Sequence, residues 1–142
     1  MTPVKLIRRA KEAMQHAYTP YSNFKVGAAL LTADGKVYLG CNIENAAYSP
    51  SNCAERTAFF KAVYEGERNF TAIAVVGGRN GVIEDIFPPC GVCRQVMQEF
   101  CGPDFMIYMG RSDDSYVAVR LEDFLPYGFS AGKYMKETRK TE

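Results

Sequence analysis

Two short helical stretches, each opened by a cysteine and set between apolar runs of strand length, limit what this chain can fold into more than any other feature. The first covers residues 53–65 and follows Asn52, a good N-cap. The second covers residues 90–100, follows Pro88-Pro89 and is stopped by Gly102-Pro103. A helix of that length between two strands is a crossover, and strands joined this way run parallel within one sheet. Residues 25–32 and 36–43 instead flank the turn Ala33-Asp34-Gly35 and read as an antiparallel hairpin. Residues 71–76, 105–109 and 116–120 supply three further strands, with Gly77-Gly78 and Gly81 as connection. Thr2-Pro3 begins an N-terminal helix whose apolar positions Leu6, Ile7, Ala10, Ala13, Met14 and Ala17 recur at helical spacing up to Thr19-Pro20. A last helical turn, residues 121–125, is closed by Pro126. The order α-β-β-α-β-α-β-β-α predicts a three-layer α-β-α fold, with a mixed five-stranded sheet covered by helices on both faces.

A chain of 142 residues with 47% apolar content is expected to form one domain, its tail from residue 130 to 142 peripheral. A domain of this size buries roughly 68–70% of its unfolded surface, so it needs neither disulfides nor a metal merely to fold. Any metal must therefore have a functional reason. The 17 Lys+Arg against 16 Asp+Glu leave a net charge of +1, and only a tail with Lys133, Lys136, Arg139 and Lys140 is locally basic. That balance argues against a nucleic acid polymer as partner. No apolar run approaches the ~20 residues that span a bilayer, so no membrane partner is expected. A single histidine, His16, excludes paired-histidine metal sites. Five cysteines, an odd number, behind a charged N-terminal stretch point to free thiols in a reducing cytoplasm.

The chemistry concentrates on Cys53, Cys90 and Cys93, with 36 residues between the first two. A helix N-terminus favours the thiolate, which is the form that binds metal. Three thiolates fill three corners of a zinc tetrahedron and leave the fourth open to a water whose pKa the ion lowers. Glu55, two residues beyond Cys53, is placed to move protons beside such an ion. Each element has a plainer reading. Cys90-Gly91-Val92-Cys93 alone is equally a redox pair; Cys41 would close a structural four-cysteine site; Asn52 with Glu55 three residues on is a capping box. Cys53 with Glu55 beside the second thiol pair favours the catalytic zinc site.

The site has neighbours that can bind a small polar ligand. Asn42 and Glu44, two apart at the end of a strand, can face one side of the sheet and offer one ligand hydroxyl a donor and an acceptor. The backbone N–H of Ala54, at a helix N-terminus, can donate to a ligand carbonyl. Arg56 and Arg94 each follow a ligand position. Three thiolates on Zn²⁺ sum to −1, so a guanidinium on one of them would restore Lewis acidity, a role expected of Arg56. A solvated arginine on the outer helix face is an equal alternative.

The spacing Cys-x-Glu followed by Pro-Cys-x-x-Cys is the three-cysteine form of the zinc-deaminase pattern. The resemblance extends over Tyr18-Thr19-Pro20-Tyr21-Ser22-Asn23-Phe24-Lys25-Val26-Gly27-Ala28-Ala29, Gly40-Cys41-Asn42-Ile43-Glu44-Asn45-Ala46-Ala47-Tyr48, Cys53-Ala54-Glu55-Arg56 and Pro89-Cys90-Gly91-Val92-Cys93-Arg94-Gln95. Together these blocks resemble the cytidine deaminase family, in its short homotetrameric class. The resemblance implies one Zn²⁺ per subunit and hydrolytic deamination of cytidine and deoxycytidine to uridine and deoxyuridine, with release of ammonia, in pyrimidine salvage. It makes Glu55 the proton shuttle, sets Asn42 and Glu44 on the sugar 3′-hydroxyl, and packs Phe24 on the pyrimidine ring. The segment Leu125-Pro126-Tyr127-Gly128-Phe129 resembles one that carries an aromatic into a neighbouring subunit's site, which makes Phe129 a stacking residue in trans. A modified cytosine nucleoside as substrate and a catalytically silent zinc module are the rival readings.

Overall fold

The computed structural model describes residues 1–131, and the basic tail from Lys133 to Lys140 lies outside the described residues. Helix α1 (Pro3–Met14) starts where proline's missing N–H is no loss, and Thr2 Oγ1 accepts from Lys5 N at 3.2 Å. It ends earlier than the spacing predicts. Gln15, His16 and Ala17 donate three residues back, and Tyr18 N then turns to Asn42 O, so Ala17 belongs to a tightened turn.

Strands β1 (Phe24–Thr32) and β2 (Val37–Cys41) form the hairpin. Strand β3 (Phe70–Arg79) pairs antiparallel with the other side of β1, and β4 (Met106–Gly110) pairs parallel with β3. Strand β5 (Tyr116–Arg120) closes the sheet antiparallel to β4, giving the order β2-β1-β3-β4-β5. The mixed five-stranded sheet is thus as expected, with β1 hydrogen-bonded on both sides. Gly77 and Gly78 do not form a connection; they continue β3 opposite Val26 and Lys25. Strand β2 stops at Cys41, and Ile43 makes isolated bridges to Tyr18 and Asn52.

Helices α2 (Ala54–Tyr64) and α3 (Gly91–Phe100) cover one face of the sheet, and α1 covers the other. Alternation along the strands feeds two cores. Ala28, Leu30, Ile73, Val75 and Ile107 meet Phe59 and Met97, while Ala29, Ala72, Ala74 and Val76 meet Leu6, Ile7 and Met14. The short α4 (Leu121–Phe124) packs beside α3. Among the described residues no helix is long and apolar enough to cross a membrane.

The depth at which α2 sits is set by Gly40. A Cβ there would overlap Ala54 O and Ala58 N, which are backbone atoms that cannot rotate away. Gly40→Ala is therefore expected to lower stability by about 3 kcal/mol in chemical denaturation, through displacement of α2.

Candidate metal centre and adjoining cavity

Cys53 and Cys90 occupy the N-cap positions of α2 and α3 in extended conformation, and neither thiol caps its own helix. Both are left to point across the gap between the helices. Cys53 Sγ lies 3.8 Å from Cys90 Sγ, and Cys90 Sγ lies 3.5 Å from Cys93 Sγ. All three sulfurs fall within 4.8 Å of one another, so the cluster is able to hold a metal ion. Among the described residues no fourth ligand joins it: Cys41 lies on β2 near Lys61, and Cys101 caps the far end of α3. The closed four-cysteine reading fails, and the Cys90–Cys93 pair does not stand alone as a redox couple would. Three sulfurs with one position left are the donor set of an open zinc site.

Arg56 Nη2 donates to Cys53 Sγ at 3.2 Å. The Cys93 thiol beside it, helped by Arg56, holds the Cys53 thiol down to about 5, while its contact with Cys53 and burial push the Cys93 thiol up. Arg94 does not reach a thiol; its Nε and Nη1 donate to Pro89 O and Phe124 O, both at 2.9 Å. Arg56→Gln is expected to weaken zinc binding by at least tenfold in a chelator competition and to lower turnover, whereas Arg94→Gln leaves zinc affinity within about threefold.

Glu55 sits in the first turn of α2 and is 1% exposed. Neither carboxylate oxygen has a hydrogen-bond partner. Burial pushes its carboxyl up to about 7 and the neighbouring Cys53 adds to the rise, against the opposing pull of its own backbone N–H, Cys93 and Arg56. The capping-box reading fails on the same observation. Asn52 is not the cap either, since its Nδ2 donates to Thr57 Oγ1 at 3.2 Å. A buried carboxyl whose oxygens lack hydrogen bonds, set beside a cluster of thiols, is a strong sign of function.

Cys53, Ala54, Glu55 and Arg56 line one wall of a cavity of about 320 Å³, a size suited to a small ligand. Phe24 and Val26, at the start of β1, also line it, as do Asn42, Glu44, Ser51 and Asn52. Asn42 and Glu44 thus face the same space, although the strand ends before them. Their polar atoms are already engaged. Asn42 Nδ2 donates to Phe24 O at 2.8 Å and its Oδ1 accepts from Val26 N at 2.9 Å. Glu44 accepts from Tyr21 N and Ser22 N, both at 3.1 Å, and from the Ser22 hydroxyl, which holds its carboxyl below the ordinary range. Each keeps unfilled capacity, since an amide offers four hydrogen bonds and a carboxylate about four lone-pair positions.

Phe24 packs on Phe87, with ring centroids 5.3 Å apart. Phe87 was not among the residues the sequence singled out; its only signal is an aromatic immediately before Pro88-Pro89-Cys90. Phe129 does not line this cavity. It is 56% exposed, and its carbonyl accepts from Gln95 Nε2 at 2.9 Å. A larger cavity, about 480 Å³, opens at the far end of α3 beside Arg68 and Cys101, remote from the three thiols.

Open three-thiol coordination, a buried carboxyl and a crossover sheet together define a zinc-dependent hydrolase. The family model described as the cytidine and deoxycytidylate deaminase zinc-binding region matches residues 2–109. A cytidine deaminase of Sporosarcina psychrophila is 51% identical over 126 residues, 89% of this chain and 90% of its own. That of Halalkalibacterium halodurans is 49% identical over 126 residues, 89% of this chain and 92% of its own. The crystal structure of cytidine deaminase from Burkholderia pseudomallei superposes with a TM-score of 0.84 at 49% identity, covering 91% of this chain and all of that one. The chain belongs to the cytidine deaminase family, and zinc is its metal.

Proposed function

We propose that the chain deaminates cytidine and deoxycytidine to uridine and deoxyuridine with release of ammonia, as a step of pyrimidine salvage. The observation that carries this reading is the buried, unpartnered carboxyl of Glu55 beside three converging thiols, in a cavity with room for a nucleoside. Zinc held by Cys53, Cys90 and Cys93 would supply Lewis-acid activation of water. Glu55 takes a proton from the attacking water and delivers it to ring N3 as oxygen adds to C4. It then takes the remaining hydroxyl proton and passes it to the amino group, which leaves as ammonia while the C4 carbonyl forms. The carboxyl ends in the state in which it began.

Phe24 packs on the pyrimidine ring, with Phe87 behind it; the Ala54 N–H donates to the base carbonyl, and Asn42 and Glu44 take the sugar hydroxyl. Arg56 offsets the thiolate charge. The two cores share one sheet, which supports a single domain. Exposed Tyr18, Tyr48, Phe60, Tyr64 and Phe129 support a homotetramer, in which Phe129 enters a neighbour's cavity rather than its own. Five unpaired cysteines support a cytoplasmic location.

The test is the ultraviolet absorbance change of cytidine, and then of deoxycytidine, on adding protein whose zinc per chain has been counted. Turnover of both with about one zinc per chain is the expected result. Full zinc without turnover of either would move the assignment to a modified cytosine nucleoside or to a silent zinc module.

A further inference from the structure

Helix α3 bears metal ligands at its N-terminus, yet its outer side is engaged with a different part of the chain. Arg94 Nη1 donates to Phe124 O at 2.9 Å, and its guanidinium carbon lies 3.6 Å from the Phe124 ring centroid, in cation–π geometry. Its Nε simultaneously donates to Pro89 O, the residue before Cys90. Gln95 Nε2 donates to Phe129 O at 2.9 Å. Residues 124–129 therefore lie along α3, so closely that a Cβ on Gly128 would come within 2.9 Å of Gln98 Oε1. Within that stretch Tyr127 adopts φ +55°, in the left-handed region, with its side chain fully exposed, so the turn is held through the backbone of its neighbours.

We propose that Gln95 and Arg94 are positioning residues for Phe129. They fix the segment that presents this ring, with the subunit's own metal-ligand helix as the support. The inference rests on the reading above, in which Phe129 completes a neighbouring subunit's cavity. Neither residue lines the cavity beside Glu55, so Gln95 acts on that site through Phe129. Gln95 is the cleaner probe, because Arg94 also holds the backbone that leads into Cys90.

The experiment is a double-mutant cycle on the zinc-loaded protein: wild type, Gln95→Ala, Phe129→Ala and the double variant, assayed with cytidine and by hydrogen exchange. Gln95→Ala is expected to raise KM about three- to tenfold, the effect of one hydrogen bond, with kcat within about twofold and zinc unchanged. Added to Phe129→Ala it raises KM no further. Amides of residues 125–131 exchange at least about tenfold faster in Gln95→Ala, while those of α3 do not. Unchanged exchange in that stretch overturns the anchor whatever the kinetics. If Phe129→Ala raises KM but Gln95→Ala does not, or if the two effects add, the inference is wrong and the reading of Phe129 stands. If Phe129→Ala leaves KM unchanged, that reading fails and the inference falls with it.

Discussion

Glu55→Gln keeps one zinc per chain and a native circular dichroism spectrum, and it lowers cytidine turnover by about 10⁴-fold. The estimate is the upper end for a general acid–base group, because one carboxyl serves every proton transfer in the proposed reaction. The amide has nearly the same shape but can neither accept nor return a proton. Folding is spared because the wild-type carboxyl has no protein partner to lose. The check is single-turnover kinetics on protein of measured zinc content. Residual activity within about tenfold of wild type would exclude Glu55 as the shuttle.

Cys93→Ala has an effect of similar size by another route. Cys93 is buried, and it is the one of the three clustered thiols that lies inside its helix rather than at a cap position. Its removal leaves Cys53 and Cys90, two sulfurs from different helices, and two ligands do not define a tetrahedral site. Zinc per chain is expected to fall below about 0.1 after dialysis against a weak chelator, and turnover to fall with it. The fold survives, since both cores are built from the sheet and the apolar sides of α1, α2 and α3. The small cavity left behind costs about 1 kcal/mol in denaturation. Full zinc retention in this variant would remove Cys93 from the ligand set.

The parts legible in the sequence are those written in local chemistry. Ala33-Asp34-Gly35 marks the hairpin, Thr2-Pro3 the first cap, and the two crossover helices dictate that the strands they join run in the same direction. The three thiols and Glu55 are legible because metal-site spacing is conspicuous in one dimension. What stayed hidden depends on pairing across the sheet. Gly77-Gly78 reads as a break until β1 is set beside it, and nothing along the chain announces that the Asn42 amide also bridges the Phe24 and Val26 backbone. Phe87 sits in an aperiodic loop, and only the approach of Phe24 gives it a place. Arg94 resembled Arg56 in position along its helix; that one reaches a thiolate and the other stacks on Phe124 is decided by what packs opposite.

The cavity has two materials in it. Phe24 and Val26 belong to β1 and pair with β3, whereas Asn42, Glu44, Ser51 and Asn52 lie outside the helices and strands. Sheet interiors yield little to substitution, and loops yield a great deal. The Phe24 and Val26 side of the cavity is therefore held by sheet pairing, while the side lined by residues 42–52 has more freedom. On the proposed function, substitutions at Asn42, Glu44, Ser51 or Asn52 are expected to alter sugar preference before base preference.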